Sequence, residues 1–257
     1  MKIEQVAVQL YTLRDHLETP EAYQESLQKI AEIGYKSVEV AGPRAIDEGD
    51  IAALCAEKGL IINACHEDAD LILTNPSKVL ENLESFGCRY VSYPYPAGID
   101  FESPASLQSL VDGLNRSGRI LAEAGRVLAY HNHDMELKSV DGVSILEMIY
   151  GQTEPQFLQA ELDTYWVHAG HSSPEAWCAK LRDRLPLLHL KDYREGEDGK
   201  GVFAEIGSGI LDFRTIIATA EASGCQWFIV EQDVCPGDPF ESLEKSFRYI
   251  RDNLVEP

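Results

Sequence analysis

Apolar and polar positions along the chain alternate between two rhythms. Short β-branched or apolar runs read as strands, and longer stretches with apolar residues every three or four positions read as amphipathic helices. Strands are expected at 3–10 (IEQVAVQL), 36–40, 60–66, 89–94, 126–133, 157–164, 186–192 and 226–233. Helices are expected at 20–34, 47–59, 75–87, 103–125, near 142–151, 173–184, 212–223 and 239–253. Several of the helices run into a glycine one or two residues before the next strand, as at Gly34, Gly59, Gly87 and Gly125. A residue free to take positive φ is what a helix C-terminus commonly needs.

Eight strand–helix units repeat about every 30 residues, and the length is the ~250 residues that a closed (β/α)8 TIM barrel requires. The expected fold is therefore an α/β barrel forming a single domain over 1–257. A doubly wound open sheet is the rival. It would more usually place a Gly-rich turn after the first strand, and QLYTLRD (9–15) has no glycine, so the dinucleotide-binding reading fails there.

Charge narrows the partners. Acidic residues number 43 against 22 Lys and Arg, a net charge of −21. Such a chain repels phosphate backbones and anionic lipid, so neither nucleic acid nor a membrane is an expected partner. The first residues carry Lys2, Glu4, Arg14 and Asp15 and lack a signal-peptide core. No uncharged apolar stretch approaches the 18 or so residues of a membrane span. Six cysteines without a C-x-x-C pair read as reduced thiols, and the expected location is cytoplasmic.

Chemistry in a barrel belongs at the C-terminal ends of the strands. In order those ends carry Gln9 and Tyr11, Glu39, His66, Tyr93, then His131, Asn132 and His133, Asp163 with Trp166, His189 with Lys191, and Glu231 with Asp233. Four consecutive strands thus end in a metal-capable residue: His131, Asp163, His189 and Glu231. Two imidazoles and two carboxylates suit Mn²⁺, Zn²⁺, Co²⁺ or Fe²⁺ better than Ca²⁺. Singly, each has a plainer reading: a wall histidine, a helix cap at Asp163, a rim charge at Glu231. The coincidence at four successive strands favours the metal. Lys191 stands either to neutralise a developing oxyanion or to reach solvent. Tyr11 and Trp166 are candidates for an apolar wall under a sugar, and Gln9, Glu39 and His66 for contacts to hydroxyls. Gly207 and Gly209 lie where barrels often bind phosphate, but two loop glycines are usually a turn, and with no clear basic partner an unphosphorylated substrate is favoured.

The segments H131-N-H-D-M-E136, L162-D-T-Y-W166, H189-L-K-D192 and V230-E-Q-D233, with V8-Q-L-Y-T-L-R14 and G34-Y-K-S-V-E39, resemble the xylose isomerase-like barrels. This superfamily of sugar phosphate isomerases and epimerases also includes keto-inositol dehydratases, ketose 3-epimerases and endonuclease IV. The resemblance implies one divalent ion (Mn, Co, Zn or Mg) held by Asp163, His189 and Glu231. The strand-five ligand, usually a glutamate, falls by that alignment on His131. The two-glutamate proton exchange of the epimerases is then missing one carboxylate, and Glu136 or His133 is its candidate replacement. Glu136 is also an alternative ligand.

The resemblance implies an ion that acidifies a C–H beside a carbonyl and holds the enediolate. Returning the proton gives isomerisation or epimerisation, and expelling a β-leaving group gives a lyase. Glu231, His133, Glu136 and Lys191 are the catalytic candidates. The leading expectation is a metal-dependent sugar isomerase or epimerase acting on a ketose or related polyol. Next comes a lyase acting on an inosose, a 3-keto-glycoside or a dehydroshikimate-like acid. An endonuclease-like hydrolase conflicts with the charge and with only seven histidines, and a barrel that binds sugar without turnover is the remaining reading. The resemblance also allows a homodimer.

Overall fold

The computed structural model describes residues 1–42, 44–140, 142–197 and 199–255. Eight parallel strands close into a barrel: β1 (Val6–Gln9), β2 (Ser37–Val40), β3 (Ile61–His66), β4 (Tyr90–Tyr93), β5 (Val127–His131), β6 (Gln159–Asp163), β7 (Leu187–Leu190) and β8 (Trp227–Val230). Each strand pairs with its sequence neighbours, and β8 closes on β1 in the register Val8↔Val230. The barrel expected from the sequence is the one observed.

The helices around it are α1 (Pro20–Ile33), α2 (Glu48–Glu57), α3 (Ala69–Thr74), α4 (Pro76–Phe86), α5 (Pro104–Glu123), α6 (Ile145–Gln152), α7 (Thr164–Ala169), α8 (Pro174–Lys180), α9 (Phe213–Ala222) and α10 (Pro239–Asn253). Five of them start the same way. Thr19, Asn75, Ser103, Ser173 and Asp238 each accept a backbone N–H of the first turn, and each precedes a proline. Proline at the first helical position gives up an N–H that the helix would not have used.

The short helices α3 and α7, and two antiparallel strand pairs, Ser139–Val140 with Val143–Ser144 and Asp192–Glu195 with Gly201–Ala204, were not expected. Each is too short for the apolar rhythm to show. No helix among the described residues is long and apolar enough to cross a membrane. All six cysteines are free thiols.

Most of the apolar core lies between the helices and the outer faces of the strands. One close approach fixes the packing of α5. Gly118 stands where an added Cβ would collide with the carbonyl of Phe157, which leads into β6. A glycine inside a helix costs about 1 kcal/mol in propensity, and here it lets two backbones meet.

Candidate active site

Alternate residues of each strand point into the barrel. The lower inward layer is apolar, formed by Ala7, Ala64, Tyr90, Ala129, Leu187 and Ile229. The next inward positions are polar: Gln9, Glu39, His66, Ser92, His131, His189 and Glu231, joined by Glu161 and Asp163 from β6. All are buried except His66, which is partly open. A layer of charge over an apolar floor survives only if its members compensate one another, and they do so in two groups that share two imidazoles.

The first group gathers around Glu161. Its Oε2 lies 2.6 Å from His66 Nε2, 3.2 Å from His131 Nδ1 and 3.5 Å from His189 Nε2. Glu39 adds a second carboxylate, its Oε2 2.9 Å from His189 Nε2. Gln9 holds Glu39 in place by donating to the same oxygen at 2.7 Å.

The second group is built on Lys191, only 1% exposed. Its Nζ lies 2.8 Å from Asp233, 2.9 Å from Glu231 and 3.4 Å from Asp163. Glu231 Oε2 also faces His189 Nδ1 at 3.0 Å, and His131 Nε2 is 3.8 Å from Asp163 Oδ2. His131 and His189 therefore present one nitrogen to each group. Donor atoms of His66, His131, Glu161 and His189 converge within 4.8 Å of one another, as do those of His131, Asp163, His189 and Glu231.

The electrostatics follow the geometry. Burial, then repulsion from Glu161, raises Glu39 to about 7. Burial would raise Glu161 too, but His66 and His189 outweigh it and hold this carboxylate well below its ordinary range. Burial pulls His66 and His189 down, yet their carboxylate neighbours prevail and both are raised. For His131 the balance is the reverse: burial and then His189 outweigh Glu161 and push it down to about 3. His133 falls to about 2 through burial, then His131, so its imidazole stays neutral. Burial would also lower Lys191, but Asp163 and Glu231 raise it, and it remains an ammonium. Asp163 is raised to about 6 by burial, against the pull of Lys191.

Buried carboxylate oxygens that make no hydrogen bond include Glu39 Oε1, Glu161 Oε1 and Asp163 Oδ2, the last with only the Lys191 ion pair at 3.4 Å. Each such atom costs about 1–3 kcal/mol when left unmade. A divalent ion taken up by this nitrogen and oxygen donor set would satisfy several at once, so the residues present fit such an ion.

Above this layer opens a cavity of about 770 Å³, with Tyr11, Tyr95, His133, Trp166, Lys191 and Phe203 among its walls. The rings of His133 and Trp166 lie 5.4 Å apart, and Lys191 Nζ stands 5.3 Å from the Trp166 ring. The cavity thus joins apolar faces to a polar floor, as sugar-sized ligands require.

The structure brings together His131, Asp163, His189, Glu231 and Lys191 as expected, and places Tyr11, His66, His133 and Trp166 on the cavity wall. Other expectations need correction. Neither Lys191 nor Glu231 is a solvated rim charge, since both are buried in one ion-pair network. Gln9 is fully buried, donates to Glu39 and is not among the residues lining the cavity. Glu136 joins neither donor group: buried, it accepts from Tyr130 Oη and from the backbone N–H of His133, both at 2.9 Å. Its carboxylate fixes the turn carrying His133. Burial raises it to about 7.

Glu161 lies two residues short of its strand's end, where strand ends alone do not point to it. Its position two residues before Asp163 puts it on the same inward face, and that spacing was the available signal. The loop at Gly207 and Gly209 is no phosphate cradle. The carboxylate of Asp192 already accepts the backbone N–H groups of both glycines at 2.9 Å, with those of Tyr193 and Leu211. A Cβ at Gly209 would collide with this carboxylate.

Comparison with known proteins agrees with this architecture. An inosose dehydratase of Geobacillus kaustophilus (strain HTA426) is 26% identical over 270 residues, covering 89% of this chain and 86% of that protein. The match to an inosose dehydratase of Geobacillus thermodenitrificans (strain NG80-2) is 30% identical but shorter, covering 56% of this chain and 53% of the relative's length. A solved sugar phosphate isomerase/epimerase from Parabacteroides distasonis ATCC 8503 superposes with a TM-score of 0.84 at 24% identity, over 99% of this chain and 96% of that one; at that identity the likeness is one of fold. The family model for the xylose isomerase-like TIM barrel matches residues 27–253, and the chain belongs to that family.

Proposed function

We propose that this protein is a divalent-metal-dependent lyase that eliminates water, or another β-leaving group, from a keto-cyclitol or keto-sugar. The observation that carries this is the chemical asymmetry of the cavity. His133 is a neutral imidazole with an unpartnered Nδ1, whereas Lys191, on β7's extension, is a fixed ammonium. Such a pair suits one-way proton removal, with a neutral base on one side and a cation to stabilise developing negative charge. An epimerase needs two exchangeable groups facing opposite sides of one carbon. The relatives named as dehydratases support the same choice.

In this reading His133 takes the proton from the carbon beside the carbonyl. Electrons move to form the C=C bond as the C–O bond to the leaving group breaks. The departing oxygen takes up the proton that His133 removed and leaves as a neutral molecule, with the Lys191 ammonium offsetting the negative charge that develops on it. Glu231 orients both Lys191 and His189, Glu136 sets the backbone of His133, and Tyr11 and Trp166 pack against the ring. A divalent ion (Mn, Co, Zn or Mg), with His131 and His189 among its ligands, would polarise the carbonyl and acidify the neighbouring C–H. The free thiols and the absence of a membrane-crossing helix among the described residues support a cytoplasmic location.

The test is a panel of inososes, 3-keto-glycosides and ketoses offered to metal-loaded protein, read by mass and ultraviolet absorbance. Loss of water or of an aglycone with a new conjugated carbonyl is expected. An isomerised product of unchanged mass would instead restore the isomerase or epimerase reading.

A further inference from the structure

Two overlapping donor groups leave open where an ion would sit. Resting on the metal-dependent reading above, we propose that the divalent ion occupies the inner group, held by His66, His131, His189 and Glu161 with Glu39 beside it, and that Asp163 and Glu231 serve as outer partners of its histidines.

Three observations lead there. First, three ring nitrogens from β3, β5 and β7 point at one place, each 2.6–3.5 Å from Glu161 Oε2. Ligand atoms about 2.1 Å from a common ion stand roughly 3–3.5 Å from one another, so little movement separates this arrangement from a coordination sphere. His66 faces only this group. Second, Glu39 Oε1 and Glu161 Oε1 are buried here without a hydrogen bond, on side chains that are fully buried, whereas the one such carboxylate oxygen of the outer group, Asp163 Oδ2, already has the Lys191 ammonium at 3.4 Å. Third, the two carboxylates of the inner group have imidazoles and a glutamine around them but neither a lysine nor an arginine. Those of the outer group already share the Lys191 ammonium, and a dication placed among them would be repelled by it.

The outer contacts then take on a familiar role. A metal-bound histidine usually donates its other N–H to a carboxylate, and with Nε2 turned inward His189 offers Nδ1–H to Glu231 at 3.0 Å. His131, turned inward through Nδ1, faces Asp163 with Nε2 at 3.8 Å. Gln9 supports Glu39 from below. Two carboxylates balance the charge of a divalent ion, and three nitrogen donors select Zn²⁺, Co²⁺, Fe²⁺ or Mn²⁺ over Mg²⁺.

The experiment uses chelator-treated full-length protein titrated with Co²⁺ and followed by visible absorption, together with X-ray absorption of the Zn²⁺ form to count bound imidazoles. Three imidazoles are expected, with His66→Gln weakening Co²⁺ binding at least 100-fold and Asp163→Asn weakening it less than the His66 change does. Two imidazoles, with Asp163→Asn the more damaging substitution, would overturn the inner site and leave a metal enzyme of the expected kind. If none of Mn²⁺, Co²⁺ and Zn²⁺ binds, the metal-dependent reading falls along with the inner site. Should His66→Gln fail to fold, the imidazole count on the unsubstituted protein decides alone.

Discussion

Lys191→Met tests the electrostatic heart of the site without reference to any substrate. The change keeps the length of the side chain and removes its charge. Asp163, Glu231 and Asp233 then lose a cation at 3.4, 2.9 and 2.8 Å. At an effective dielectric constant near 20, one pair at such separations is worth roughly 5–6 kcal/mol before desolvation is subtracted. Breaking a buried pair by removing one partner costs about 3–5 kcal/mol net. For a chain of this size that is a fall in Tm of roughly 6–20 °C. Tryptophan fluorescence in urea, on chelator-treated protein at pH 7.5, measures it. Burial raises Glu231, but Lys191 and His189 hold it well below its ordinary range. Its stabilising contribution is therefore present above the unfolded carboxylate pKa of 4.5 and lost as pH falls through the depressed folded value. The deficit of Lys191→Met should accordingly be largest near neutrality and shrink in acid. Lys191→Met/Glu231→Gln should recover part of the loss. A cost under about 1 kcal/mol, independent of pH, would refute the reasoning, because it would mean that the ammonium is hydrated and the carboxylates are not relying on it.

Other outcomes follow from single residues. His133→Gln should lower kcat by about 10²- to 10⁴-fold, the usual contribution of a general base, while Co²⁺ binding stays unchanged; a steady-state assay and a metal titration separate the two. Because burial raises Glu136 to about 7, its ionisation is disfavoured in the fold, so the stability it contributes is complete below pH 4.5 and lost as pH rises through 7. Glu136→Gln should therefore improve relative to the parent by up to about 3 kcal/mol between pH 4.5 and pH 8, measured by urea melts; a difference that does not move with pH would contradict the assignment. Gly118→Ala should destabilise by about 1–3 kcal/mol through collision with the Phe157 carbonyl, although alanine is the better helix former. A thermal melt showing a gain would mean that α5 can draw away from β6.

The barrel was legible in the sequence because its strands and helices have different apolar periods and because Asn75-Pro76, Ser103-Pro104 and the glycines at 34, 87 and 125 mark where helices begin and end. His131, Asp163, His189 and Glu231 were legible because strand ends share one face of a barrel. Glu161 and Glu39 belong to the same inward layer, yet the first went unread and the second was taken for a substrate contact. Depth along a barrel axis depends on the stagger between strands, as where His131 pairs with Glu161 and Glu161 with Leu187, and a single strand does not reveal it. The burial of Lys191 was equally hidden. A lysine at a strand end reads as solvated until Asp163, Glu231 and Asp233, from two other strands, are seen around it. Asp192 shows the converse: a carboxylate 15 residues before Gly207 fills the place where a bound anion was considered.

The most direct test of the lyase reading is the fate of one keto-cyclitol or 3-keto-glycoside in D₂O with the metal-loaded protein, followed by proton NMR. The account predicts loss of the leaving group with formation of an alkene carbon, no accumulating epimer, and no reaction after chelation or in His133→Gln. Deuterium entering an otherwise intact substrate or its epimer, with the leaving group retained, would contradict it.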